Sequence, residues 1–190
     1  MKVERTIHIY TNTFEVGDII TVKFVDDTEL QAMAVKCQKD GTIFCSVDCI
    51  PGEYKMNKSF TNKGGYEHSD LRKKLNSEIL GLFPTEFKSM MIPFENGDLL
   101  RIPTEKEIFG VNKNGECEDD NVEQWIPMKE RRNRIAFNDK KHEDFRWYWL
   151  MNKVKNSQYY FVHTHYWGVD GDLLVNYERG IRPVFKLKNQ

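Results

Sequence analysis

His163-Thr-His165 sets two imidazoles two residues apart near the end of the chain. Alternate side chains of a strand share a face, so both rings would point the same way and could begin a metal site. Asp170 or His68 would be the third ligand. No acidic or cysteine partner stands at a recognisable ligand spacing. The expectation is therefore two ordinary sheet residues hydrogen-bonded beside Trp167, with no metal and no cofactor. Cys37, Cys45, Cys49 and Cys117 lack the spacing of paired zinc knuckles and read as buried, reduced thiols. Arg101 stands near Glu105 and Glu107, a combination that could serve catalysis. The same segment is accounted for by a strand end, a proline and a helix cap. Arg182, beside Pro183, reads as an anchor for a neighbouring carboxylate or carbonyl.

The other chemistry-bearing stretch is basic. Lys129-Glu-Arg-Arg-Asn-Arg134 is followed by Lys140-Lys141, a patch that could sit on phosphates or on an acidic protein surface, or serve as a solvated loop. No Gly-rich phosphate loop, nucleophile elbow, His-Glu-x-x-His or paired-carboxylate spacing is visible. The expectation is a protein that is not an enzyme.

These residues must be held by a scaffold, and the totals bound it. At 190 residues the chain can bury one ample core. A net charge of −1 argues against a dedicated polyanion binder, while 13% aromatic residues favour a β-rich domain or a binding face built from rings. No apolar run is long enough to span a bilayer, and Met1-Lys-Val-Glu-Arg5 lacks a signal-peptide hydrophobic region, so a cytoplasmic protein with no membrane partner is expected.

Hydrophobic alternation predicts strands over Val3–Tyr10, Ile19–Val25, Leu30–Cys37 and Thr42–Val47, a β-meander through about residue 55 that packs on the body at 56–190. Ser69 predicts the cap of a helix from Asp70 to Leu82, with Leu71, Leu75, Ile79 and Leu82 forming its apolar stripe. A shorter helix over Glu86–Ser89 follows. Short strands over Met90–Phe94 and Leu99–Ile102 flank the Asn96-Gly97 turn. Thr104-Glu-Lys-Glu107 fits a capping box opening a helix through Phe109. The last third, Phe145 to Leu187, organises the rest. Tyr159–Trp167, Leu173–Tyr177 and Ile181–Leu187 predict three strands of one meander, broken by a Gly168–Gly171 turn and by Arg179-Gly180.

Several segments in this order resemble a domain of unknown function common in Gram-positive bacteria and their prophages. They are Gly17-Asp-Ile-Ile, Gly65-Tyr-Glu-His-Ser-Asp-Leu-Arg-Lys-Lys-Leu-Asn76, Leu100-Arg-Ile-Pro-Thr-Glu-Lys-Glu107, Trp147-Tyr-Trp-Leu150, Val169-Asp-Gly171 and Gly180-Ile-Arg-Pro-Val184. The Arg101-Ile-Pro-Thr-Glu and Gly180-Ile-Arg-Pro pieces also resemble formylglycine-generating-enzyme and C-type-lectin-like domains. The resemblance implies an α+β, C-type-lectin-like architecture, a twisted antiparallel sheet with a few helices packed on it. It implies no reaction, since no cysteine follows Cys117 where the oxidase relatives carry a copper-binding pair.

The expected function is a non-catalytic phage or mobile-element binding protein. Its partner would be a protein, a host defence protein such as a CRISPR nuclease being the suspected one. The partner-binding residues are expected to be Arg131, Arg132, Arg134, Lys140, Lys141, Tyr148, Tyr166 and Trp167. Two alternatives stay open: nucleic-acid binding through the basic stretch 129–141, and a metal-dependent enzyme centred on His163 and His165.

Overall fold

A computed structural model of the chain describes residues 14–117, 121–138 and 143–189. The expected strand Val3–Tyr10 lies outside the described residues. Three antiparallel strands open the fold: β1 (Ile19–Lys23), β2 (Glu29–Cys37) and β3 (Gly41–Ser46). Between β1 and β2 the Asp26 carboxylate accepts both the amide and the hydroxyl of Thr28, and Asp27 turns left-handed at φ 68°. Short aspartates tolerate that geometry, which is why the Asp-Asp pair marks the turn.

After the two-residue β4 (Tyr54–Lys55), Ser69 caps α1 (Asp70–Lys74), its hydroxyl accepting the Arg72 amide at 3.1 Å. The helix runs on through a π-turn at Leu75–Ile79 and a 3-10 turn at Leu80–Leu82. Leu71, Leu75 and Ile79 are buried, so the stripe faces the core. Pro84 then precedes α2 (Thr85–Met90). The expected strands over Met90–Phe94 and Leu99–Ile102 do not form. Each supplies a single bridge, Met91 to Leu187 and Arg101 to Val184. The capping box does form: the Thr104 hydroxyl accepts the Glu107 amide and Glu107 accepts the Thr104 amide, opening α3 (Glu105–Phe109).

The last third carries β5 (Ala136–Phe137), β6 (Phe145–Arg146), β7 (Tyr148–Lys153), β8 (Tyr160–Thr164), β9 (Asp170–Leu174), β10 (Glu178–Arg179) and β11 (Val184–Lys188). It is not one meander. β7, β8 and β9 form a three-stranded antiparallel sheet, while β11 leaves them and pairs with β3, giving the order β1-β2-β3-β11. β11 is buried on both faces apart from its last residue, so it needs a sheet covered on both sides. Beside β3 its Phe185 stacks on Phe44 with ring centroids 5.7 Å apart. The sheet of the first 55 residues is thereby completed by the C-terminal end of the chain.

The turn between β8 and β9 also differs from expectation. It spans His165 to Val169, closed by His165 N–H to the Val169 carbonyl at 2.7 Å, with Gly168 at φ 66°. Asp170 and Gly171 lie inside β9.

Alternation divides the core. Phe44, Phe185, Leu71, Leu75, Ile79, Phe83 and Trp149 pack together, and Ile43, Cys45, Val184, Ile108, Trp125, Tyr148 and Leu150 form a second cluster. Each fully buried large apolar side chain contributes about 1.5–3 kcal/mol of transfer free energy. The result is a mixed α+β fold in which antiparallel sheets dominate. No helix among the described residues is long and apolar enough to cross a membrane.

A candidate ring-and-arginine surface

The turn after β8 carries Tyr166 and Trp167 at the surface, with Trp167 59% exposed. A 3-10 turn at Arg131–Arg134 packs against it. Arg131 Nε donates to the Trp167 carbonyl at 2.7 Å. A Cβ on Gly168 would lie 2.9 Å from the Arg131 carbonyl oxygen and 3.3 Å from Arg134 Cβ, so the turn needs glycine for approach as well as for its φ. Arg131, Tyr166 and Trp167, apart in the sequence, are thus brought together, and Arg132 is exposed on the same turn as Arg131.

Arg134 and Tyr148 do not belong to that face in the same way. The Arg134 guanidinium turns onto the Phe109 ring, 5.3 Å from its centroid. Tyr148 is fully buried, its hydroxyl donating to the Arg134 carbonyl at 2.9 Å and accepting from Arg182 Nη1 at 3.2 Å. Its expected role in partner contact is corrected: β7 is buried on both faces here, so Tyr148 holds the basic turn from beneath and meets no partner. Lys140 and Lys141 lie outside the described residues.

The rings continue beyond Trp167. Tyr166 lies 5.4 Å from Trp167, 6.4 Å from Phe145 and 6.0 Å from Trp147. Trp147 stacks on His163 at 5.0 Å and lies 4.3 Å from His165, and the Arg179 guanidinium rests 4.6 Å from the Trp147 centroid. Phe145, Arg146, Trp147, Glu178, Arg179 and Gly180 line an open slot of about 260 Å³ at this end. Trp147, Phe145 and Arg179 were not among the expected binding residues. The run Trp147-Tyr148-Trp149 was the signal, but Trp147 precedes β7 and is half-buried while Trp149, on the same phase, is fully buried, so alternation does not separate them.

His163 is nearly fully buried and its Nδ1 has no hydrogen-bond partner. Burial pushes its pKa down to about 4, with nearby Arg179 and His165 acting in the same direction, and burial also lowers that of His165. Both rings are neutral at neutral pH. Of the conceivable third ligands, Asp170 is engaged by Lys113 and Asn114, and the His68 Nδ1 lies 2.9 Å from the Gly64 carbonyl. No group of three or more His, Cys, Asp or Glu is placed to hold a metal among the described residues.

Of the remaining candidates, most are buried. Arg101 and Glu107 form a buried two-pronged pair at 2.6 and 2.7 Å. Burial opposes the Arg101 charge, but the Glu107 carboxylate outweighs it and raises the pKa. Arg182, also buried, donates to the carbonyls of Ser46 and Asn133. Cys45 and Cys49 are buried, and burial pushes the Cys49 thiol up to about 12. Cys37 and Cys117 are exposed, correcting the expectation of buried thiols there. Cys37 is the last residue of β2, past the bulge between Ala34 and Lys36, where the strand leaves the core.

Comparison of the chain with protein-family models, with curated proteins and with solved structures found no match. The functional reading therefore rests on the site.

Proposed function

We propose that the chain is a non-catalytic binding protein that grips a protein partner through the face built from Arg131, Arg132, Tyr166 and Trp167. The observation that supports this is the seating of the Arg131–Arg134 turn on the Trp167 carbonyl, which sets exposed arginines beside an exposed indole. Tryptophan and arginine carry a disproportionate share of interface free energy, because they bury much area and keep directional donors. A C-type-lectin-like scaffold is part of the proposal. In its favour, the two segments that carry that resemblance are brought side by side by the Arg101–Val184 bridge, one residue past Pro183, with hydrogen bonds of 3.0 and 2.8 Å. The prophage association that the resemblance implies makes a host defence protein, such as a CRISPR nuclease in the bacterial cytoplasm, the partner class to test first.

The test compares the wild-type chain with R131E and W167A as baits in bacterial lysate, followed by binding measurements with the purified partner. A partner held by the wild type and lost from both folded variants is expected. A wild-type bait that holds no protein in stoichiometric amount would overturn the reading.

Nucleic-acid binding is the second reading. Lys129, Arg131 and Arg132 are exposed on adjacent turns, and no carboxylate pairs with them among the described residues. It requires affinity that falls with a log–log salt slope of about −3 for three phosphate contacts. A flat salt response would eliminate it.

A further inference from the structure

Arg179 is the one guanidinium on the ring surface whose situation the fold does not explain. It is half-buried, lies 4.6 Å from the Trp147 ring centroid and 5.9 Å from that of Tyr177, and lines the 260 Å³ slot. Among the described residues its guanidinium makes one hydrogen bond, from Nη1 to the adjacent Glu178 carbonyl, while its Nε has no acceptor and no carboxylate pairs with it. Burial works against its charge and lowers its pKa. Its neighbour differs: Arg146 is held by Glu53 at 2.6 Å and by Asp144 at 3.2 Å. Arginines that only stabilise a fold end up like Arg146, since an unpaired guanidinium withdrawn from water is costly.

We propose that this slot is a carboxylate-binding subsite, in which Arg179, held against Trp147, receives the side chain of an aspartate or glutamate from an acidic peptide segment of the partner. The inference rests on the proposal that this surface binds a protein, and it adds the chemistry of the contact. Charge decides between a carboxylate and a phosphate. Glu178 lines the slot 3.9 Å from Lys55, and Glu53 and Asp144 both engage Arg146 at its wall, so of these three cations only Arg179 makes no ion pair among the described residues. A single negative charge matches the one unpaired guanidinium and its planar fork. A phosphoryl group carrying about −1.5 to −2 would face three carboxylates with one free cation. Phe145 and Tyr177, 50% and 49% exposed, flank the slot and suit apolar residues on either side of the acid.

The test is NMR of the full chain, observing the Arg179 Nε–H and Trp147 indole N–H signals during titration. The probes are acetyl-Phe-Glu-Phe-amide, its Gln counterpart and inorganic phosphate. The glutamate peptide is expected to shift both signals saturably, with affinity about tenfold above that of the Gln peptide. R179Q, if its spectrum shows a native fold, is expected to erase the difference. If R179Q does not fold, the Glu-against-Gln comparison on the wild type decides alone. Equal response to the two peptides, no response to either, or phosphate binding as tightly as the glutamate peptide would overturn the assignment. Loss of partner capture in W167A together with indifference to the Glu-to-Gln change would leave the binding surface standing and remove only this subsite.

Discussion

The His163 imidazole lies parallel to the Trp147 indole, at an interplanar angle of 1° and a centroid distance of 5.0 Å, and on the β9 side His163 is paired with Gly171. A Cβ on Gly171 would stand 2.9 Å from His163 Nε2 and 3.0 Å from Cε1. The imidazole cannot retreat without breaking the stack, since Trp149 also meets it edge-on at 6.5 Å. G171A is expected to cost about 1–3 kcal/mol, the usual range for forcing extra atoms into a packed site. G81A is the control, because nothing lies within 4 Å of its added Cβ in a helical turn. It should be neutral or stabilising by up to about 1 kcal/mol. Urea denaturation of both variants measures the contrast.

That contact also shows why the C-terminal third was only partly legible. Asp170-Gly171 is sound local turn chemistry, yet packing against His163 claims the glycine for a strand, and Gly168 alone supplies the left-handed residue. The apolar run Ile181–Leu187 announces a strand without naming its neighbour. Phe44, far away in the sequence, makes that choice. The Ser69 and Thr104 caps were legible because their chemistry closes within three residues. At the surface, Arg131 and Trp167 were recognisable by type, while their contact across 36 positions was not. Tyr148 stands between two tryptophans in a strand buried on both faces, so residue type alone could not tell core from contact.

Burial of His163 makes stability depend on pH with a definite sign. Its folded pKa of about 4 lies below the ordinary imidazole value of 6.5, so between those values the unfolded chain binds the extra proton. Stability should therefore fall as pH drops from about 6.5 to about 4, by up to roughly 3 kcal/mol for this group, and level off below. His165, lowered by burial, adds in the same direction. Asp26 and Asp40, whose pKa values are lowered, act in a more acidic window. Urea midpoints at pH 7 and pH 5 should converge in H163N and separate in the wild type. Equal separation in both would show that His163 does not carry the effect.

The Arg101–Glu107 pair is expected to be the most sensitive charged contact of the fold. Glu107 satisfies two Arg101 nitrogens and the Thr104 amide at 2.9 Å. E107Q leaves a buried guanidinium without its counter-charge and should cost about 3–5 kcal/mol. Replacing both residues with methionine removes the stranded charge, and should cost less than E107Q even though the cap, worth about 1 kcal/mol, is lost as well. Denaturant unfolding of the two variants orders them, and a double variant less stable than E107Q would contradict this account.

Trp167 and Tyr148 separate surface from core within one short region. W167A removes a side chain that is 59% exposed, so its unfolding free energy should stay within about 0.5 kcal/mol of the wild type. Its affinity for the partner should fall by about 2 kcal/mol or more, as for a central interface anchor. Y148A empties a fully buried site and takes one of two acceptors from Arg182 Nη1, which keeps the Asn133 carbonyl, and should cost about 3–5 kcal/mol of stability. Y148F keeps the ring and loses only the hydroxyl bonds to Arg134 and Arg182, at about 1–3 kcal/mol. It should still bind the partner, since the basic turn keeps its contact with the Trp167 carbonyl. Calorimetry for stability and titration for affinity give the two readouts separately. If W167A instead loses stability on the scale of Y148A, the indole is a structural ring and the surface loses its anchor.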